Sequence, residues 1–124
     1  MKRWNLAASS LVFLMTGMAW AGDAPVTKTQ GVLTDTRGMT LYTFDKDVAG
    51  SGKSACNGEC PAIWPPLRAD SGAIPTGELS VITRDDGSKQ WAYKGKPLYY
   101  FAKDQAAGDT LGDNVKNVWH LVRE

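Results

Sequence analysis

The sequence predicts a small all-β domain assembled from two copies of one unit. The stretch Gly38-Met39-Thr40-Leu41-Tyr42-Thr43-Phe44-Asp45-Lys46-Asp47 returns as Gly95-Lys96-Pro97-Leu98-Tyr99-Tyr100-Phe101-Ala102-Lys103-Asp104. The two copies share Gly-x-x-Leu-Tyr-x-Phe-x-Lys-Asp, six of ten positions, 57 residues apart. Such self-similarity marks one supersecondary unit used twice, so that two copies bury together what one could not. Short apolar and aromatic runs lie between Gly, Pro, Asp and Asn, and no segment has the periodicity of a three-turn amphipathic helix. The expected architecture is an antiparallel meander of two related hairpin-plus-loop repeats, about residues 31–67 and 88–122, closing into a barrel or sandwich.

Residues 1–21 read as a signal peptide rather than as part of the fold. Lys2 and Arg3 precede the apolar run Leu6 to Met18, and Ala19-Trp20-Ala21 has the small-x-small pattern of a cleavage site. The run is shorter than the roughly 20 residues that cross a bilayer. No cysteine stands at the cleavage point to carry a lipid. The expected product is a single domain, 22–124, periplasmic or secreted, without a lipid anchor or a membrane span.

Removing the leader takes the net charge from +1 to −1. A near-neutral chain without a basic run does not suit nucleic acid, whose phosphates require clustered Lys and Arg. Cys56 and Cys60 are the only cysteines, and in an oxidising compartment they are expected to pair.

The elements follow in order. Gly22 to Lys28, with Pro25, reads as a mobile leader. Gly31 to Asp35 is a short strand, Thr36-Arg37-Gly38 a turn, and Thr40 to Phe44 the returning strand of a hairpin. Along it, Tyr42 and Phe44 share one face, and Leu41 and Thr43 the other. Asp45 to Ala55 is a polar loop, and Pro65-Pro66 favours an extended, non-helical path from Ala62 to Leu67. Trp64 and Leu67 there are expected to plug the core. Arg68 to Glu78 is turn-rich. Leu79 to Arg84 and Lys89 to Lys94 form a hairpin about Asp85-Asp86-Gly87-Ser88. Pro97 to Phe101 repeats the motif strand, Ala102 to Asn117 is a second polar loop, and Val118 to Val122 closes the sheet.

The motif residues Tyr42, Phe44, Asp47, Tyr99, Phe101 and Asp104 are the principal site candidates, with two readings. In the structural one, the aromatics fill a core and the aspartates cap the following loops by accepting backbone N–H bonds. In the functional one, two tyrosines and two aspartates converge on a symmetric site. The paired Tyr-x-Phe-x-x-Asp units behind a signal peptide resemble the bacterial secreted-repeat, or lipoprotein-repeat, family of tandem Tyr-x-(Phe/Trp/Tyr)-x-x-Asp units. The stretches Cys56 to Leu67 and Trp119 to Arg123 extend the resemblance over most of the chain. It implies an exported protein with no established reaction. Some relatives carry a loose association with alkane breakdown.

Other chemistry finds little footing. Asp45-Lys46-Asp47-Val48-Ala49-Gly50 starts like an EF-hand loop, but Ala49 and Cys56 stand where ligands are required. Asp104, Asp109 and Asp113 form an acidic loop that Asx turns explain. His120 is the sole histidine, too few for a blue-copper or structural zinc site. No nucleophile has a recognisable base. The expectation is therefore a non-enzymatic envelope protein without catalytic residues, metal or cofactor, binding an unknown envelope protein or small ligand. The alternative is a redox or metal-handling protein using Cys56, Cys60 and His120.

Overall fold

The computed structural model describes residues 25–123. The expected signal peptide and Gly22 terminus lie outside the described residues. Seven strands are present: β1 (Val26–Thr29), β2 (Val32–Asp35), β3 (Tyr42–Phe44), β4 (Leu79–Thr83), β5 (Lys89–Tyr93), β6 (Lys96–Pro97) and β7 (Trp119–Leu121). Among the described residues one short α-helix, α1 (Cys60–Ile63), and a 3-10 turn, Val115–Asn117, interrupt them. The fold is all-β, in three small antiparallel sheets, β1-β2, β3-β7 and β4-β5-β6. Among the described residues they form neither one continuous meander nor a closed barrel.

Three sequence expectations are corrected. Val26–Thr29 is a strand paired with β2, not part of a mobile leader. Gln30 and Gly31, both at positive φ, make the two-residue turn that a tight hairpin requires. Val-Thr-Lys-Thr hid this strand because it is an edge with mostly exposed side chains, leaving little hydrophobic pattern to read. The path through Ala62 is helical for one turn, because Pro61 sits in the first turn of α1, where a missing N–H costs nothing. Finally, the motif strand Thr40 to Phe44 touches β2 only at its start, through Leu41 N–H to Leu33 O at 3.1 Å. Its ladder partner is β7, with Phe44 opposite Trp119 and Tyr42 opposite Leu121.

That last pairing defines the architecture. The end of the second repeat runs beside the motif strand of the first. Reciprocally, the end of the first repeat runs beside the motif strand of the second. Leu67 N–H donates to Leu98 O and Tyr100 N–H to Pro65 O, at 2.9 and 2.7 Å. Likewise Leu33 N–H donates to Val122 O while Trp91 N–H donates to Leu67 O, both at 2.9 Å. At the centre Tyr42 and Tyr99 exchange both backbone hydrogen bonds, at 2.8 and 2.9 Å. Contacts that recur with the partners exchanged are those of a two-fold axis. The β3-β7 sheet takes one strand from each repeat.

Two cores result. Leu33, Leu41, Leu67, Leu79, Trp91, Tyr93 and Leu98 fill one. Tyr42, Phe44, Cys56, Trp64, Tyr99, Phe101 and Trp119 fill the other. The motif strands lie between them, so Leu41 and Tyr42, pointing to opposite faces, are both fully buried. Trp64 and Leu67 are buried as the sequence requires.

The motif glycines fix the approach of the two halves. Gly95 has φ +84°, and a Cβ there would lie 2.7 Å from Gly50 N. Its carbonyl accepts Gly50 N–H at 2.9 Å, and Gly38 O accepts Gly108 N–H at 3.2 Å. Each motif turn thus docks on the loop of the other repeat, close enough that only hydrogen fits at Gly95.

Candidate functional site

The six motif residues gather in the aromatic core. Phe44, Trp119, Trp64 and Phe101 form a continuous column of stacked rings, with centroid separations of 4.2, 3.8 and 4.3 Å in that order. The column is palindromic, with the two indoles at its centre. Tyr42 meets the Trp64 ring edge-on at 5.6 Å, and Tyr99 meets Trp119 edge-on at 5.1 Å. Such pairs add about 0.5–1.5 kcal/mol beyond their buried area.

The tyrosine hydroxyls cross between repeats. Tyr42 donates to Asp104 Oδ2 at 2.6 Å, and Tyr99 donates to Asp47 Oδ2 at 2.7 Å. The second oxygen of each carboxylate holds its own loop. Asp47 Oδ1 accepts Ala55 N–H at 2.6 Å, and Asp104 Oδ1 accepts Leu111 N–H at 2.9 Å. Each carboxylate therefore ties its own loop to the tyrosine of the other repeat. The hydroxyl oxygens also accept: Gly112 N–H reaches Tyr42 at 3.1 Å. Ser54 lies 2.7 Å from the Tyr99 hydroxyl, and since Tyr99 gives its proton to Asp47, Ser54 is the donor there.

Burial pushes both hydroxyls well above the ordinary tyrosine range; the adjacent carboxylates add to this, while the Gly112 N–H at Tyr42 and the Ser54 hydroxyl at Tyr99 oppose it. Burial likewise raises Asp47 above its usual value, against the opposing pull of the Ala55 and Tyr99 hydrogen bonds. Protonated phenols beside buried carboxylates are hydrogen-bond donors, not bases or nucleophiles.

The two pairs differ in one respect that the motif does not encode. Arg84 is buried and donates to Ser54 Oγ at 3.0 Å, to Gln90 Oε1 at 2.7 Å and to the Cys56 carbonyl. Gln90, fully buried, donates to Leu98 O at 2.7 Å. A chain of hydrogen bonds thus runs from Arg84 through Ser54 and Tyr99 to Asp47, and the guanidinium charge helps offset the burial of that carboxylate. On the Asp104 side the backbone N–H of Gly112 takes the place of Ser54. Sequence reasoning missed Arg84, Gln90 and Ser54. The register pairs Gln90 with Ile82 across the hairpin, but the partners at 54 and 56 come from the other repeat and leave no local signal.

Cys56 and Cys60 form a disulfide with Cα atoms 5.2 Å apart. Cys56 is fully buried in the aromatic core, and its carbonyl receives Arg84. The bridge closes the turn that directly follows Ser54 and Ala55, the residues that meet the Tyr99–Asp47 pair.

The remaining candidates stay apart. Asp45 turns outward to His120 Nε2 at 2.8 Å, whose Nδ1 lies 3.2 Å from Asn114 Oδ1. Asp47, two residues on, points inward, so the two carboxylates that open the EF-hand-like stretch do not share a site. Asp109 caps Gln105 and Ala106 N–H groups, and Asp113 accepts Leu121 N–H. Among the described residues, no three His, Cys, Asp or Glu side chains gather as a metal site requires.

A two-repeat β protein in which each Tyr-x4-Asp unit is completed by the other is the class that this geometry defines. The chain matches a family described as a secreted repeat of unknown function, once over residues 20–68 and again over 80–123. It belongs to that family. No curated protein and no solved structure matches it. Among the described residues no helix is long and apolar enough to cross a membrane.

Proposed function

We propose that the chain is an exported, non-enzymatic binding module of the cell envelope, periplasmic or secreted without a lipid anchor. In this reading the motif is scaffold, and the loops that it anchors form the contact surface. The supporting observation is the crossed pair of Tyr–Asp hydrogen bonds, which turns the chemistry of Tyr42, Asp47, Tyr99 and Asp104 inward. Among its polar residues each anchored loop also exposes one large apolar side chain. Val48, next to Asp47, is 68% exposed, and Leu111, whose N–H is held by Asp104, is 62% exposed. Large apolar side chains on loops tied down by buried carboxylates suit recognition of a protein surface. The finer architecture, two hairpin-plus-loop units closed on each other as a small sandwich, belongs to the same reading.

The test is a cross-linked pull-down from periplasm, paired with native mass spectrometry for small ligands. Val48→Asp and Leu111→Asp are expected to abolish capture while leaving the fold intact. Unchanged capture by both variants, or turnover of a small molecule by the wild-type chain, would overturn the proposal. Intact-mass measurement checks the Gly22 terminus and the absence of lipid.

A further inference from the structure

We propose that the secreted repeat is an exchange-pairing unit, and that the partner its inner surface fits is the complementary repeat of a second copy of this chain. The exchanged assembly would be a dimer in which residues up to Ala69 of one copy pair with residues from Leu79 onward of the other.

The β3-β7 sheet, the central tyrosine pairing and the aromatic column are all built between repeats rather than within one. Ile63 to Ala69 leaves the first repeat and adds to the sheet of the second, through Ala102 N–H to Ile63 O at 2.8 Å and Ala69 N–H to Lys89 O at 3.0 Å. Val118 to Arg123 leaves the second repeat and adds to the first, through Asp45 N–H to Val118 O at 2.8 Å and the bridge between Val32 and Arg123. The Tyr42–Asp104 and Tyr99–Asp47 bonds and the Trp64–Trp119 stack span the same divide. These interactions do not depend on which chain supplies the second repeat.

Only one covalent connection joins the halves, and within residues 70–78 Ala73 alone packs against a core. Residues 70–78 are exposed except for half-buried Ala73. Their backbone hydrogen bonds are local, such as Ala73 N–H to Asp70 O at 3.0 Å and the mutual pair between Thr76 and Leu79 at 3.1 and 2.9 Å, except that Glu78 O accepts Lys94 N–H at 2.9 Å within the second repeat. Exchange would therefore alter this connection and keep the rest, the condition under which swapping between identical chains is cheap.

Connection length then decides between the closed monomer and the exchanged dimer. Ala69 lies beside Lys89, and Leu79 lies opposite Tyr93 on the other side of β5. Four residues along β5 and two strand spacings across it place the ends about 16 Å apart. Deleting Ser71–Gly77 leaves Asp70 and Glu78 to span that gap, with a reach of about 11 Å. The closed form is then out of reach, and the exchanged form is not.

The experiment uses the exported full-length chain. The Ser71–Gly77 deletion is expected to run in native mass spectrometry at twice the wild-type protomer mass, with the near-ultraviolet circular dichroism of the stacked tryptophans retained. A folded monomer would overturn the proposal. If the deletion variant does not fold, the wild-type chain carrying a protease site at Gly72 decides. It is cut after folding in isotopically light and heavy forms, and the two are mixed, unfolded and refolded. Light–heavy pairs of the two halves near the statistical ratio would support exchange. Halves that separate on cutting, or fail to re-pair, would overturn it.

Discussion

The indoles of Trp64 and Trp119 stack face to face, 3.8 Å between centroids and 4° from parallel, at the meeting point of the two repeats. Each is flanked on its outer face by the motif phenylalanine that the other repeat's strand brings beside it. Phe44 is 9% and Phe101 8% exposed. Phe44→Ala and Phe101→Ala should therefore destabilise by similar amounts, about 3–5 kcal/mol each. Denaturant unfolding measures both, and a strong inequality would show that the column is not shared evenly.

The crossed hydrogen bonds make a prediction that same-repeat pairing does not. Double-mutant cycles of Tyr42→Phe with Asp104→Asn, and of Tyr99→Phe with Asp47→Asn, should show coupling of about 0.5–3 kcal/mol. Tyr42→Phe with Asp47→Asn should add independently, although the two residues belong to one motif. Coupling within a repeat and none across would contradict the geometry.

Arg84 is a buried cation held by neutral acceptors. Arg84→Leu leaves Ser54, Gln90 and the Cys56 carbonyl short of a donor, at an expected cost of about 3 kcal/mol. The Tyr99–Asp47 cycle repeated in this background should change, whereas the Tyr42–Asp104 cycle should not. Equal effects on both cycles would place Arg84 outside the Asp47 network.

Asp35 contributes to stability on the acid side. Burial raises its pKa, but hydrogen bonds from Tyr100, Met39 and Arg37 outweigh burial and hold it below 3.8. Tyr100 donates to Asp35 Oδ2 at 2.8 Å, and the Tyr100 hydroxyl is itself pushed up to about 12 by burial and that carboxylate. A folded-state pKa below the unfolded value adds stability that is fully present above the unfolded pKa and lost as pH falls through the folded one. The gap between wild type and Asp35→Asn should be widest near neutral pH and close below 3.8. Asp47, raised by burial, acts with the opposite slope. A gap that widens on acidification would refute the assignment to Asp35.

The disulfide closes a short ring, for which chain entropy gives about 2 kcal/mol. Cys56→Ala/Cys60→Ala should stay folded and lose about that much. The burial of Cys56 against the aromatic core predicts a reduction potential below about −300 mV. Titration against glutathione buffers that finds it reduced near cellular poise would revive a redox role.

Much of the fold was legible because it is written locally. Aromatics alternate in Tyr42-Thr43-Phe44, Asp-Gly marks the turn at 86–87, two nearby cysteines pair, and a ten-residue motif recurs. Each signal depends on residues a few positions apart, where strand geometry, turn dihedrals and ring size act directly. The capping role of Asp47 and Asp104 toward the next loop was legible for the same reason. β1 was not, because an exposed edge strand needs no hydrophobic pattern. The partner of each motif was not either. The sequence by itself determined that the Tyr-x4-Asp unit occurs twice in an all-β chain. Only the tertiary structure decided that Tyr42 belongs to Asp104 and Tyr99 to Asp47, with Arg84 behind one pair alone. Those bonds join residues more than fifty positions apart, and what selects them is the burial of two half-complete sheets against each other, which neither repeat can satisfy alone.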